Sequence, residues 1–210
     1  PMKAVFYGTP AEAVPSLEAL SHMAEVLLVT TRPDRPRGRS GRPQAPPVKE
    51  AARVLDLPVS QPERAVHDLE RLRGLAPDVA VVVAYGQLLP PALLAVPAAG
   101  FLNVHFSLVP RWRGASPVVR TVLAGDPVTG VTLMMLDEGM DTGPVVAVEP
   151  TAVWPGETAG ELTARLAALG AEMLVRHLPA YLSGAITPRP QPAEGATAAG
   201  RVRVEEAFVD

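Results

Sequence analysis

Six consecutive apolar residues, Val79 to Ala84, most constrain the fold of this chain, because four are valine and no polar residue interrupts them. β-branched side chains suit a pleated strand, and an apolar run without alternation belongs where both faces of a sheet are covered. Such a strand needs helices on either side. Ala4–Tyr7, Val26–Val29, Leu102–Phe106, Val131–Met135 and Val145–Glu149 read as further strands. Helices are expected from Pro10 to about Ser21, with Thr9 as N-cap, and over Pro47–Leu55, Glu63–Leu75, Leu88–Leu94, Ser116–Leu123 and Glu157–Leu178. The alternation points to an α/β fold with a doubly wound, mainly parallel sheet.

A chain of 210 residues can bury a core of its own without staples. The absence of cysteine rules out a disulfide framework and a thiolate metal site, and fits a cytoplasmic protein. Charges and prolines break every apolar run short of the roughly 20 residues that span a bilayer, so no membrane partner is expected. Neither a G-x-G-x-x-G fingerprint nor a Walker A lysine follows the first strand, so neither NAD nor ATP is expected. The four histidines are far apart and lack metal-ligand spacing, so no metal is expected either.

The segment Asn103-Val-His105 places an amide and an imidazole on one face of a strand, ahead of a turn kept irregular by Pro110 and Gly114. An isolated Asn-x-His is more often a buried pair satisfying each other than a site. Some 26 residues beyond that turn, however, Asp137, Glu138 and Asp141 lie among Gly139 and Gly143 directly after an apolar run, in a loop that can bring backbone close to a ligand. An Asp-Thr-Gly loop alone is usually a capped turn. A carboxylate, an imidazole and an amide at one edge of a sheet are together the parts of an acyl-transfer site: proton acceptor, electrophilic partner and oxyanion donor.

Jointly, Asn103-x-His105, Ser107-Leu-Val-Pro110, Arg111-Trp-Arg-Gly114 and Asp137-x-Gly-x-Asp141-Thr-Gly143 resemble the folate-dependent formyltransferases, and the similarity runs from Lys3 to about Leu182. Phe6-Tyr-Gly-Thr-Pro10 resembles the family's opening strand and turn. One departure is visible: the family's Ser-Leu-Leu-Pro reads Ser107-Leu108-Val109-Pro110, which leaves the position apolar. The resemblance implies a Rossmann-like formyltransferase fold. It also implies formyl transfer from 10-formyltetrahydrofolate as cosubstrate to the α-amino group of methionyl-initiator-tRNA, in translation initiation. On that reading Asp141 takes the proton of the attacking amine, Asn103 donates to the oxyanion, and His105 stabilises that oxygen while pairing with Asp141. The folate would contact Ala84, Tyr85, Gly86 and Leu88, then Ser107, Leu108, Val109 and Pro110, and finally Asp137 and Gly139.

Net charge of −3 argues against nonspecific coating of nucleic acid, yet Arg32, Arg35, Arg37, Arg39, Arg42 and Lys49 crowd one proline-rich stretch against Asp34 alone. By composition it is an exposed, mobile loop. The resemblance assigns its five arginines to tRNA phosphates, because this loop distinguishes tRNA-acting members from sugar and nucleotide relatives. An amino sugar-nucleotide formyltransferase or a formyltetrahydrofolate hydrolase would keep Asn103, His105 and Asp141 but would not need that loop. A noncatalytic folate- or RNA-binding module is the reading outside enzymes. Residues 1–182 are expected to form the catalytic domain, as a monomer. Residues 183–210 read as a proline- and glycine-rich linker, extended and then floppy, leading to a C-terminal domain that the sequence does not contain.

Overall fold

The computed structural model describes residues 1–36, 41–203 and 206. Nine strands are found among them: β1 Lys3–Gly8, β2 Glu25–Thr30, β3 Arg35–Pro36, β4 Pro43–Gln44, β5 Val59–Ser60, β6 Val79–Val83, β7 Phe101–His105, β8 Val128–Met135 and β9 Val145–Ala152. The helices are α1 Val14–Met23, α2 Pro47–Val54, α3 Leu69–Leu75, α4 Pro91–Leu94, α5 Pro117–Ala124 and α6 Ala159–Leu182, with 3-10 turns at Ala11–Ala13 and Ala65–Asp68. Seven strands form one sheet in the order β5-β2-β1-β6-β7-β8-β9. Pairing is parallel from β5 to β7, and β8 and β9 close the far edge antiparallel.

Alternation along the strands builds two cores. Ala4, Phe6, Val79, Val81 and Val83 face the side carrying α1, α2 and α6, while Val5, Tyr7, Ala80 and Val82 face the side carrying α3 and α4. This two-sided cover is what the uninterrupted valine run requires. The chain steps outward through β1, β2 and β5, then returns to β6 on the other side of β1. The strand order therefore reverses between β1 and β6, the place where open α/β sheets bind ligands beyond their carboxyl ends. Gly8 makes the close approach there possible: a Cβ on it would lie 2.7 Å from Phe6 Cε1 and 2.9 Å from Val83 O.

Several boundaries differ from those expected. Pro10 is extended and the first turn is 3-10, so Thr9 is not an N-cap; its hydroxyl instead donates to the Tyr85 carbonyl at 2.9 Å, tying the loops after β1 and β6. The helix expected over Leu88–Leu94 shrinks to α4, because the residue before a proline is driven out of the helical region and Pro90 precedes Pro91. Arg64 is likewise extended, which delays the helix expected from Glu63. In contrast, α6 continues through Pro179 to Leu182. An internal proline costs about 3 kcal/mol, but Tyr181 and Leu182 beyond it pack against the core and the Tyr181 hydroxyl donates to Ala99 O at 2.6 Å, so contacts past the proline hold the last turn. The two-residue β5 and the β3–β4 hairpin carry no apolar run that would announce them.

The tail departs most from its expected conformation. Arg189 and Val145 exchange backbone hydrogen bonds at 2.7 and 2.8 Å. Thr197 N donates to Pro110 O, Arg113 N to Thr197 O, Ala199 N to Arg113 O and Ser116 N to Ala199 O. Proline and glycine content suggested a floppy segment; pairing with the 110–116 loop holds it as a strap across the domain.

Candidate active site

Asn103 and His105 lie on the β7 face that also carries Phe101, and both are largely buried. His105 Nε2 lies 2.9 Å from the Trp112 carbonyl, which can only accept, so this nitrogen carries the hydrogen. Its Nδ1 faces Asp141 Oδ2 at 3.7 Å, beyond hydrogen-bond length but close enough for electrostatic contact. Asp141 is the hub of the cluster. Its Oδ2 accepts from Gly114 N at 2.7 Å, and its Oδ1 accepts from Asn103 Nδ2 at 3.3 Å. The first distance is that of a strong charge-assisted bond, while the second is long enough for the amide to turn to another acceptor.

The route by which the carboxylate arrives was not anticipated. Because β8 runs antiparallel to β7, Met135 pairs with Leu102 near the amino end of β7, not its carboxyl end. Residues 136–144 then fold back along the sheet to bring Asp141 to Asn103 and His105. Asp137, at the start of this loop, accepts from Gly139 N at 3.0 Å and Thr142 Oγ1 at 2.6 Å and caps the turn, whereas Asp141 of the Asp-Thr-Gly run turns its carboxylate away to Gly114 and Asn103. Asp141 itself sits at φ +53°, and Ala84 and Trp112 are also left-handed, at φ +48° and +59°. Left-handed non-glycine residues persist where surrounding bonds hold them, and they gather at ligand sites.

The other expected contact residues divide into two groups. Ala84, Gly86 and Leu88 are exposed beyond the carboxyl end of β6, Leu88 to 80%. Tyr85 between them turns its ring into the core, edge-to-face on Tyr7 at 5.3 Å, so only its backbone borders the loop. Ser107 is fully buried; its hydroxyl donates to Arg111 O at 2.6 Å and its carbonyl accepts from Thr132 Oγ1 at 2.7 Å. It shapes the turn from within. Leu108, Val109 and Pro110 are half-buried in that turn, and Asp137 and Gly139 are exposed.

Arg32 is not free to reach outward, because its Nη1 donates to Gly86 O at 2.6 Å. Lys49 pairs with Asp34 at 2.7 Å; Gln61 and Lys49 together hold the Asp34 carboxyl below its usual range. Arg35 and Arg42 are exposed at the ends of the β3–β4 hairpin, whereas Arg37 and Arg39 lie outside the described residues. Beside the cluster, Arg111 forks onto Asp126 at 2.7 and 2.8 Å and stacks on Trp112, whose Nε1 also donates to Asp126. Two tail residues were missed by sequence reasoning. Thr197 Oγ1 accepts from Trp112 N at 2.9 Å, and Gln191 lies between Arg113 and the Asp141 loop. An uncharged Gln and Thr in a proline-rich segment give no signal of a site. Among the described residues no group of three or more acids and histidines could hold a metal ion.

Residues 3–178 match the formyl transferase family model. The chain belongs to that family. It is 53% identical over 208 residues to the methionyl-tRNA formyltransferase of Halorhodospira halophila and 49% identical over 208 residues to that of Myxococcus xanthus, covering 98% of this chain and 67% of each relative. The chain thus spans about two thirds of the length of these relatives. The glycinamide ribonucleotide transformylase 1 structure from Symbiobacterium toebii superposes with a TM-score of 0.75 over 91% of this chain and 94% of that one, at 19% identity, and shows the shared fold.

Proposed function

We propose that this chain transfers a formyl group from 10-formyltetrahydrofolate to the α-amino group of methionyl-initiator-tRNA. The observation that carries the reading is the Asp141 carboxylate, gripped on Oδ2 by Gly114 N–H and only loosely met on Oδ1 by Asn103. Oδ1 is thereby left able to accept a proton. The amine nitrogen attacks the formyl carbon, and its proton passes to Asp141 Oδ1. Asn103 Nδ2, released from its long contact, donates to the developing oxyanion. Breaking the bond to folate N10 expels the folate nitrogen, which takes up the proton and completes the balance.

His105 acts electrostatically, from beside Asp141. Both ring nitrogens already face partners, so a direct N–H to the oxyanion requires the Trp112 carbonyl contact to give way. From its place beside Asp141 the imidazole stabilises negative charge developing at the neighbouring oxyanion. The fit for folate rests on the loop at the strand-order reversal, where Ala84 and Gly86 expose backbone and Leu88 offers apolar surface for a ring system. Arg35, Arg37, Arg39 and Arg42 are assigned to tRNA phosphates.

The deciding experiment offers the protein 10-formyltetrahydrofolate with charged initiator tRNA, with an amino sugar-nucleotide, or with water alone. Formyl-methionyl-tRNA forming at least about 100-fold faster than either other product is the expected result. Equal rates with the sugar nucleotide, or hydrolysis alone, would overturn the assignment.

A further inference from the structure

We propose that Gln191, in the tail strap, is a positioning residue that holds Asp141 for catalysis; the proposal rests on the reading of Asp141 as proton acceptor. The Gln191 side chain uses every polar group it has. Its Oε1 accepts from Arg113 Nε at 3.1 Å and Arg113 Nη2 at 2.7 Å. Its Nε2 donates to the carbonyls of Asp141 at 2.9 Å and Gly143 at 2.8 Å. Chemistry fixes the orientation of the amide, since a guanidinium only donates and a carbonyl only accepts.

The location gives these bonds their consequence. Gly114 follows Arg113 directly, and the Gly114 amide is what grips the Asp141 carboxylate. Gln191 therefore binds both sides of that contact: the donor strand through the Arg113 guanidinium, and the acceptor loop through the carbonyls flanking Thr142. Asp141 occupies a left-handed backbone conformation at φ +53°, which must be imposed by neighbours. Gln191 is itself placed from two directions. The Arg189–Val145 pair clamps the strap before it, and the Thr197–Ala199 ladder to residues 110–116 clamps it after. Gly114, at φ +122°, lets the strap approach so closely that a Cβ would lie 2.8 Å from Ala199 O.

Displacing a reacting group by about 1 Å can cost 10²-fold in rate with binding unchanged. Gln191→Glu keeps the acceptor fork for Arg113 but cannot donate to the two carbonyls, and Gln191→Ala removes both functions. Two measurements on the 210-residue protein test the idea. Hydrogen exchange at the Gly114 amide reads the grip on Asp141 whatever the reaction, with the Phe6 amide in β1 as the control for global opening. In both variants Gly114 exchange is expected to rise at least about 10-fold with Phe6 unchanged. In formyl-transfer kinetics, kcat is expected to fall about 10- to 100-fold while KM for 10-formyltetrahydrofolate stays within threefold. Unchanged Gly114 exchange in a folded variant overturns the proposal. So does increased exchange with wild-type kcat when Asp141→Asn is inactive. Should Asp141→Asn itself keep its turnover, the reading of Asp141 falls, and the exchange result alone judges the Gln191 grip.

Discussion

Asp141 concentrates the chemistry proposed for this chain, because one oxygen is held by a backbone amide while the other is nearly unclaimed. Replacing it by Asn keeps the shape but removes the proton acceptor, and general-base contributions run to about 10²–10⁴-fold. Asp141→Asn is therefore expected to lower kcat by that factor with 10-formyltetrahydrofolate affinity within an order of magnitude; near-wild-type single-turnover rates would sink the role. Asn103→Ala, lacking the oxyanion donor, is expected to lose about 10²–10³-fold in kcat with little change in folate binding. These residues were legible in sequence because strand alternation and an acid-rich glycine loop announce them. Gln191 was not, because its function comes from a tertiary partner 50 residues away and its own neighbours read as linker.

The loop from Arg111 to Gly114 shows how an element supports such a residue. Arg111 holds the Asp126 carboxyl below its usual range, against the effect of burial and with help from Trp112 Nε1. A carboxyl depressed by folding contributes stability that is present above its unfolded pKa of about 4 and lost as pH falls through the lower folded value. Asp126→Asn is expected to lower Tm by about 2–4 °C at pH 7, since an Arg–carboxylate fork of this exposure is worth about 1 kcal/mol. Below about pH 4 the two melting curves should converge. A constant gap from pH 7 to pH 2.5 would show that the fork does not titrate. At this scale the sequence revealed the six longer strands but neither the two-residue ones nor how the site is assembled. Nothing in the run from Val131 to Met135 says that β8 is antiparallel, and that direction forces the Asp141 loop to fold back along the sheet.

Across the whole molecule, two buried tyrosines and one cationic hairpin set the response to solvent. Burial, with Asp68 adding to it, pushes the Tyr85 phenol up to about 12, and burial raises Tyr7 as well. Groups raised by folding contribute stability that is intact below their unfolded pKa of about 10 and drains away as pH climbs towards the folded value. Stability is thus expected to fall between about pH 10 and 12, less steeply in Tyr85→Phe, as denaturant titrations at stepped pH would show; parallel curves would refute the coupling. Salt acts elsewhere. The net charge of −3 gives no general attraction for RNA, so the proposed tRNA contact falls to the local hairpin, where Arg35 and Arg42 are exposed. Each phosphate neutralised by a cation releases counterions and contributes about one unit to the slope of log affinity against log salt. Arg35→Ala with Arg42→Ala is therefore expected to flatten that slope for methionyl-initiator-tRNA by about one to two units, while 10-formyltetrahydrofolate binding stays unchanged because neither residue belongs to the proposed folate loop. Binding titrations between 50 and 300 mM salt, a range chosen to shorten screening from about 14 to 6 Å, decide the matter. A double variant whose affinity and slope match the parent would mean that the hairpin is solvated surface and that tRNA is engaged elsewhere.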